Sequence, residues 1–168
     1  VLPTLELIPH SVRNKGVTVS DMFSWGYYLK DLLLFVNPYI FGNPINGTYT
    51  RNDSILCENC AFVGIMAILL TVIGMVKHKG EGFVKFFSIL LLAILSFLLV
   101  FPFVVKMAAS VPVFNFFRVP QRFLVFVVFS LAIISGYGFQ LLKRFRPAVV
   151  LIVFLELIIF GYGYTNVV

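Results

Sequence analysis

Two arginines bracket a proline in Phe117-Arg118-Val119-Pro120-Gln121-Arg122-Phe123, and they are the residues best suited to grip an anion. A guanidinium offers a planar fork of N–H donors that pairs with a phosphate or pyrophosphate through two hydrogen bonds at once. Pro120 holds its own φ at about −65° and biases Val119 away from helix. The wider stretch 111–123 holds two prolines, four aromatics and these two arginines. The plainer reading makes Arg118 and Arg122 depth anchors, with stems on apolar surface and heads in water. Spacing alone favours that reading slightly. Arg13 and Lys106 are two further cations that can join such a site.

The acids divide by surroundings. Glu58 directly precedes a long apolar run, where a carboxylate can bind a sugar hydroxyl or a metal ion, or equally stabilise a helix N-terminus. Glu6, at the end of Leu2-Pro3-Thr4-Leu5-Glu6, has similar standing. Glu156 lies inside the run 148–164, where a charge is costly and often functional. A proton relay is the sharp reading of Glu156. The favoured plain one is a neutral acid bonded to a Ser or Tyr of a neighbouring helix, one that can lie outside this chain. Asp21 reads as a helix cap, and Asp31 as a solvent-exposed residue or a partner of Lys30.

Cys57-Glu58-Asn59-Cys60 is a C-x-x-C without a second cysteine pair. Zinc needs two more ligands. His10 and His78, expected on opposite sides of a membrane, do not supply them. A local disulfide and two thiols remain equal alternatives. No phosphate-binding glycine loop or nucleophile elbow is present. Gly136 and Gly138 suit close helix packing.

These residues must be positioned by elements of a particular kind. Of the 168 residues, 60% are hydrophobic and 12% charged, with mean hydropathy +1.01. A soluble domain carries about 25% charged residues, so this composition points to a membrane protein. Disorder is excluded by the same numbers. Four apolar runs, 60–76, 83–105, 123–142 and 148–164, each approach the roughly 20 residues needed to span a bilayer. Backbone groups in lipid must be satisfied within the segment, so the runs are expected as helices. The expected fold is an all-α polytopic membrane protein of about four spans.

Lys77, Lys79 and Lys85 lie between the first two runs, and Lys143, Arg144 and Arg146 between the last two. The positive-inside rule puts both loops in the cytoplasm. Residues 1–59 and 106–122 are then outside. Ser20-Asp21 starts an expected interfacial helix over about 20–36, ended by Asn37-Pro38. The net charge of +6 then reports topology and lipid headgroups, with no nucleic-acid partner expected. The opening Val1-Leu2-Pro3 and the stop just after an apolar run suggest an internal or C-terminal piece of a longer chain.

The motif Phe117–Phe123, followed by a small-residue span ending Ser135-Gly136-Tyr137-Gly138, resembles the later part of YfhO-type bacterial membrane proteins, which are similar to GT-C glycosyltransferases. Leu2–Leu7 with Ser11 and Arg13 is similar to the family's span end and outer loop. Asn37-Pro38-Tyr39-Ile40-Phe41-Gly42 resembles its P-x-x-F-G step. Glu58 with Phe62-Val63-Gly64 resembles its E-x-x-Y-V-G entry, with Phe in place of Tyr. The likeness covers roughly residues 1–142.

The resemblance implies a multi-pass protein of the bacterial cytoplasmic membrane. It implies sugar transfer on the outer face from a polyprenyl-phosphate-linked donor to a cell-envelope acceptor. Arg118, Arg122 and Arg13 are then expected at the donor phosphate. The family's catalytic carboxylate usually lies in an earlier outer loop, so no catalytic base is assigned. No cofactor is expected, and a divalent metal stays open. The expected partners are the lipid bilayer, the lipid-linked sugar and preceding helices of the same chain. A transporter or flippase for lipid-linked sugars is the rival expectation, and a non-catalytic subunit the third. In a bacterial setting the acceptor patterns at Asn46 and Asn52 read as chance.

Overall fold

The computed structural model describes residues 27–43, 47–50, 59–108 and 120–165, with side chains for 27–43, 47–50, 59–99 and 121–162. Among the described residues the fold is all-helical. A 3-10 helix, Leu29–Phe35, precedes α1 (Ile65–Lys77) and α2 (Gly82–Ala108). A second 3-10 turn, Pro120–Phe123, leads into α3 (Leu124–Leu141), and α4 (Arg146–Thr165) closes the series.

The helices follow from unbroken apolar sequence with punctuation at the ends. Lys77 stands in the last turn of α1, where a cation suits the helix dipole, and the His78 N–H returns to the Gly74 carbonyl at 2.9 Å. Pro147 falls in the first turn of α4, where its missing N–H costs no helical bond.

α1, α2 and α3 share one core. On α2 the buried residues Val84, Leu91 and Leu98 recur every seven positions, one stripe along one face. On α3 the buried positions are Leu124, Val127, Ser130, Ile134 and Gly138, again one face. Edge-to-face pairs Phe87–Phe129 at 5.7 Å and Phe97–Phe123 at 5.5 Å show α2 and α3 running antiparallel. α1 crosses α3 where both carry glycine. A Cβ on Gly138 would collide with the Leu70 carbonyl, and one on Gly74 with the Ile134 carbonyl. Thr71 Oγ1 reinforces the crossing by donating to Ala67 O at 2.8 Å and, across the helices, to Leu131 O at 3.3 Å.

Among the described residues, two helices are long and apolar enough to cross a membrane, over Gly82–Leu99 and Gln121–Leu141. Only 17% and 28% of those windows are buried inside the protein. A core helix of a water-soluble domain would be mostly buried, so these present apolar surface outward.

The first expected span is shorter than its apolar run. Residues 60–64 are not helical, and α1 is 13 residues, about 20 Å long, against roughly 30 Å of hydrocarbon. Gly64 sits at φ 84°, and the N–H groups of Val63 and Gly64 both reach Phe35 O at 3.1 Å. Tertiary bonds to the 3-10 helix therefore hold this apolar segment out of α1.

Two other expectations need correction. Within the described part of 20–36, helix covers only Leu29–Phe35 and is 3-10 rather than α. Asp31 is not solvent-exposed. It is fully buried, and its Oδ2 accepts the Tyr28 N–H at 2.8 Å while its own N–H donates to Tyr28 O at 2.8 Å. Lys30 is exposed, its ammonium 6.0 Å from the Tyr28 ring.

Candidate functional site

The site begins with the broken end of α1. Each helix start leaves N–H groups without an intrahelical partner. Here Gly64 is the N-cap and has no side chain to offer. Glu156 of α4 supplies the acceptor instead. Its Oε1 receives the Ile65 N–H at 3.1 Å and the Met66 N–H at 3.3 Å. With the two bonds to Phe35 O, four consecutive N–H groups, from Val63 to Met66, are satisfied by groups far away in sequence.

Gly64 is needed here for two reasons. Its φ of 84° is one that L side chains rarely adopt, and a Cβ would collide with Glu156 Oε2. Glu156 thus comes close to the backbone because position 64 carries no side chain.

The partners of Glu156 differ from those expected. Among the described residues they are backbone donors of α1 rather than a Ser or Tyr side chain. Among the described residues only Oε1 has partners, and Oε2 is buried without one. A buried acceptor left unpaired costs about 1–3 kcal/mol.

That carboxylate lines a pocket of about 340 Å³. Val36, Asn37, Pro38 and Tyr39 form one side, Phe62 and Ile65 the floor, and Ile159 and Phe160 the α4 side. The aromatic rings are fixed against each other. Phe160 stacks on Phe62 at 4.8 Å and on Tyr39 at 6.4 Å. Tyr39 OH donates to Phe160 O at 3.3 Å, and Asn37 Oδ1 accepts the Tyr39 N–H at 3.0 Å. Local turn chemistry thus positions Tyr39, while a contact 121 residues away orients its ring.

The arrangement combines the Glu156 side chain, whose Oε2 is buried against Gly64, with stacked aromatic faces and a mostly apolar lining. It can hold a small ligand that has both hydroxyl groups and apolar faces. Glu156 sits ten residues into α4, about 15 Å along that helix. The pocket therefore lies part-way along the apolar helices, beyond the reach of the cationic turns at their ends.

Of the cations expected at a donor phosphate, Arg122 is described and is exposed in the 3-10 turn that starts α3. It is not among the residues lining the Glu156 pocket. Arg118, Arg13, Glu58, Glu6, Cys57, Asp21 and His10 lie outside the described residues, as does the Lys106 side chain. Cys60 is a half-buried free thiol. His78 caps the C-terminus of α1, with its ring 5.5 Å from that of Tyr137.

Sequence reasoning singled out Glu156 but missed Tyr39, Phe62 and Phe160 as its neighbours. The available signal was weak: Asn37-Pro38 marked a turn just before Tyr39, and Gly64 marked a break inside an apolar run. Compared with protein-family models, curated proteins and solved structures, the chain matches none.

Proposed function

We propose that this chain is part of a polytopic protein of the bacterial cytoplasmic membrane that binds a lipid-linked sugar and takes part in GT-C-like glycosyl transfer to a cell-envelope acceptor on the outer face. The observation that carries the reading is the aromatic pocket lined by Glu156, part-way along outward-facing apolar helices. Irregular backbone at membrane depth is tolerated where it lines a cavity, and the irregular segment 60–64 lines this one through Phe62.

In this reading a sugar hydroxyl donates to Glu156 Oε2, and the apolar ring faces lie on Phe62 and Tyr39. The polyprenyl tail stays among the apolar helices. Arg122 stands at the end of α3 opposite the lysine-rich turns, where it meets the donor phosphate together with Arg118 and Arg13. No catalytic base is assigned to this part of the chain.

The test is transfer from a radiolabelled polyprenyl-phosphate sugar by the full-length protein in membrane vesicles. Gln at position 156 can keep its carbonyl oxygen on the Ile65 and Met66 N–H groups while presenting an NH2 where Oε2 accepted. Loss of one charge-assisted hydrogen bond lowers donor affinity by roughly ten- to a hundredfold in Glu156→Gln. Unchanged transfer at normal expression would reduce Glu156 to a helix cap.

A transporter for lipid-linked sugars is the second reading. It is favoured by the break at Gly64 with an acid beside it, a pattern by which discontinuous helices build transport sites. Transfer without net movement of donor across proteoliposomes supports the enzyme, and coupled movement supports the transporter.

A further inference from the structure

A second cavity, of about 420 Å³, opens between α2 and α3. Phe83 and Phe87, one turn apart on α2, form one wall, and Ile133, Gly136, Tyr137 and Gln140 form the other on α3. Phe83 lies in the first turn of α2 and Gln140 in the last turn of α3, so the groove runs out to one end of the helices. At that end the turns after α1 and α3 and the helix ends beside them carry Lys77, Lys79, Lys85, Lys143, Arg144 and Arg146, all exposed, and, among the described residues there, one acid, Glu81.

An apolar groove that opens onto a cationic rim matches a ligand with an apolar chain joined to an anionic head. We propose that this groove binds an anionic phospholipid, with part of one acyl chain between Phe83, Phe87 and Ile133 and the headgroup phosphate at Lys143 and Arg144. The inference rests on α2 and α3 spanning the bilayer, as in the proposed function, but on none of its sugar chemistry. Free phosphate would leave the groove empty, and a zwitterionic lipid would gain nothing net from the rim.

Gly136 makes the room. It is exposed, and a Cβ there would meet nothing within 4 Å. A side chain at 136 therefore starts into the groove without its Cβ striking the fold. Arg146 is left out of the rim because its guanidinium donates to Gln140 O at 3.1 Å and lies 5.6 Å from the Phe139 ring.

The experiment is native mass spectrometry of the full-length protein, extracted in mild detergent and titrated with phosphatidylglycerol or phosphatidylcholine. Phosphatidylglycerol is expected to stay bound in preference to phosphatidylcholine. Gly136→Leu loses the adduct for both lipids. Lys143→Gln with Arg144→Gln weakens phosphatidylglycerol alone by roughly 25-fold, at about a fivefold factor for each cation. Equal retention of the two lipids, or a charge variant that binds like the wild type, would overturn the proposal. So would retention in Gly136→Leu. Release of the protein from membranes by alkaline carbonate would sink the membrane reading together with this one, whereas a membrane-embedded protein that keeps no lipid sinks this one alone.

Discussion

Glu156 and Gly64 act as a pair. The glycine lets the carboxylate reach the start of α1, and the carboxylate replaces the side-chain cap that glycine lacks. Replacing Gly64 with Ala should cost about 1–3 kcal/mol through strain at positive φ, with an added collision at Oε2. Thermal unfolding in detergent measures it. Glu156→Ala leaves two N–H groups without an acceptor and should cost a similar amount, about 1–3 kcal/mol. Glu156→Gln should keep most of that stability. A stable Gln variant beside an unstable Ala variant would separate the capping role from the ligand role, whereas two equally stable variants would refute the cap.

At the scale of elements, α3 shows what one helix does with two faces. Gly138 faces α1 and admits the Leu70 carbonyl, whereas Gly136, two residues earlier, has nothing within 4 Å. Leu at 138 should push α1 and α3 apart and destabilise by about 1–3 kcal/mol, as overpacking does. Leu at 136 should be neutral or slightly stabilising, since glycine is a poor helix former. Comparing the two melting temperatures checks the direction of each face. If both variants melt alike, α1 does not pack on α3 as described. α1 also shows how tertiary contacts override local preference. Cys60–Gly64 continues the apolar run, yet two bonds to Phe35 O and the turn at Gly64 end the helix at Ile65.

For the whole molecule, the pattern of charge and the packing agree on one end. The turns at 78–81 and 142–145 lie together because α1 and α3 both finish there and α2 and α4 both begin there. Single cysteines at Lys79 and Lys143, in a background carrying Cys57→Ser and Cys60→Ser, should both react with an impermeant thiol reagent only from the cytoplasmic side. A cysteine at Arg122 should react only from outside. Labelling of Lys79→Cys and Lys143→Cys from opposite sides would break the topology.

Much of the architecture was legible without coordinates, because apolar length and loop charge are local properties. The extents of α2 and α3 follow their runs to within a few residues, and Lys77 and Pro147 mark ends that the helices respect. Glu156 was legible as an anomaly, since an acid among Leu155 and Leu157 needs a partner wherever it lies. Its partner was not legible, because the donors are backbone N–H groups 90 and 91 residues away, and every residue type carries one. The burial of Asp31 was hidden for a related reason: beside Lys30 it looks solvated, and its burial and its bond from the Tyr28 N–H arise only in the fold. The sequence by itself determined the helices of the described residues and the cationic end they share. The tertiary structure alone decided where α1 breaks, which oxygen of Glu156 is left unpaired and which aromatics face it, because those depend on contacts between segments rather than on the residues of any one segment.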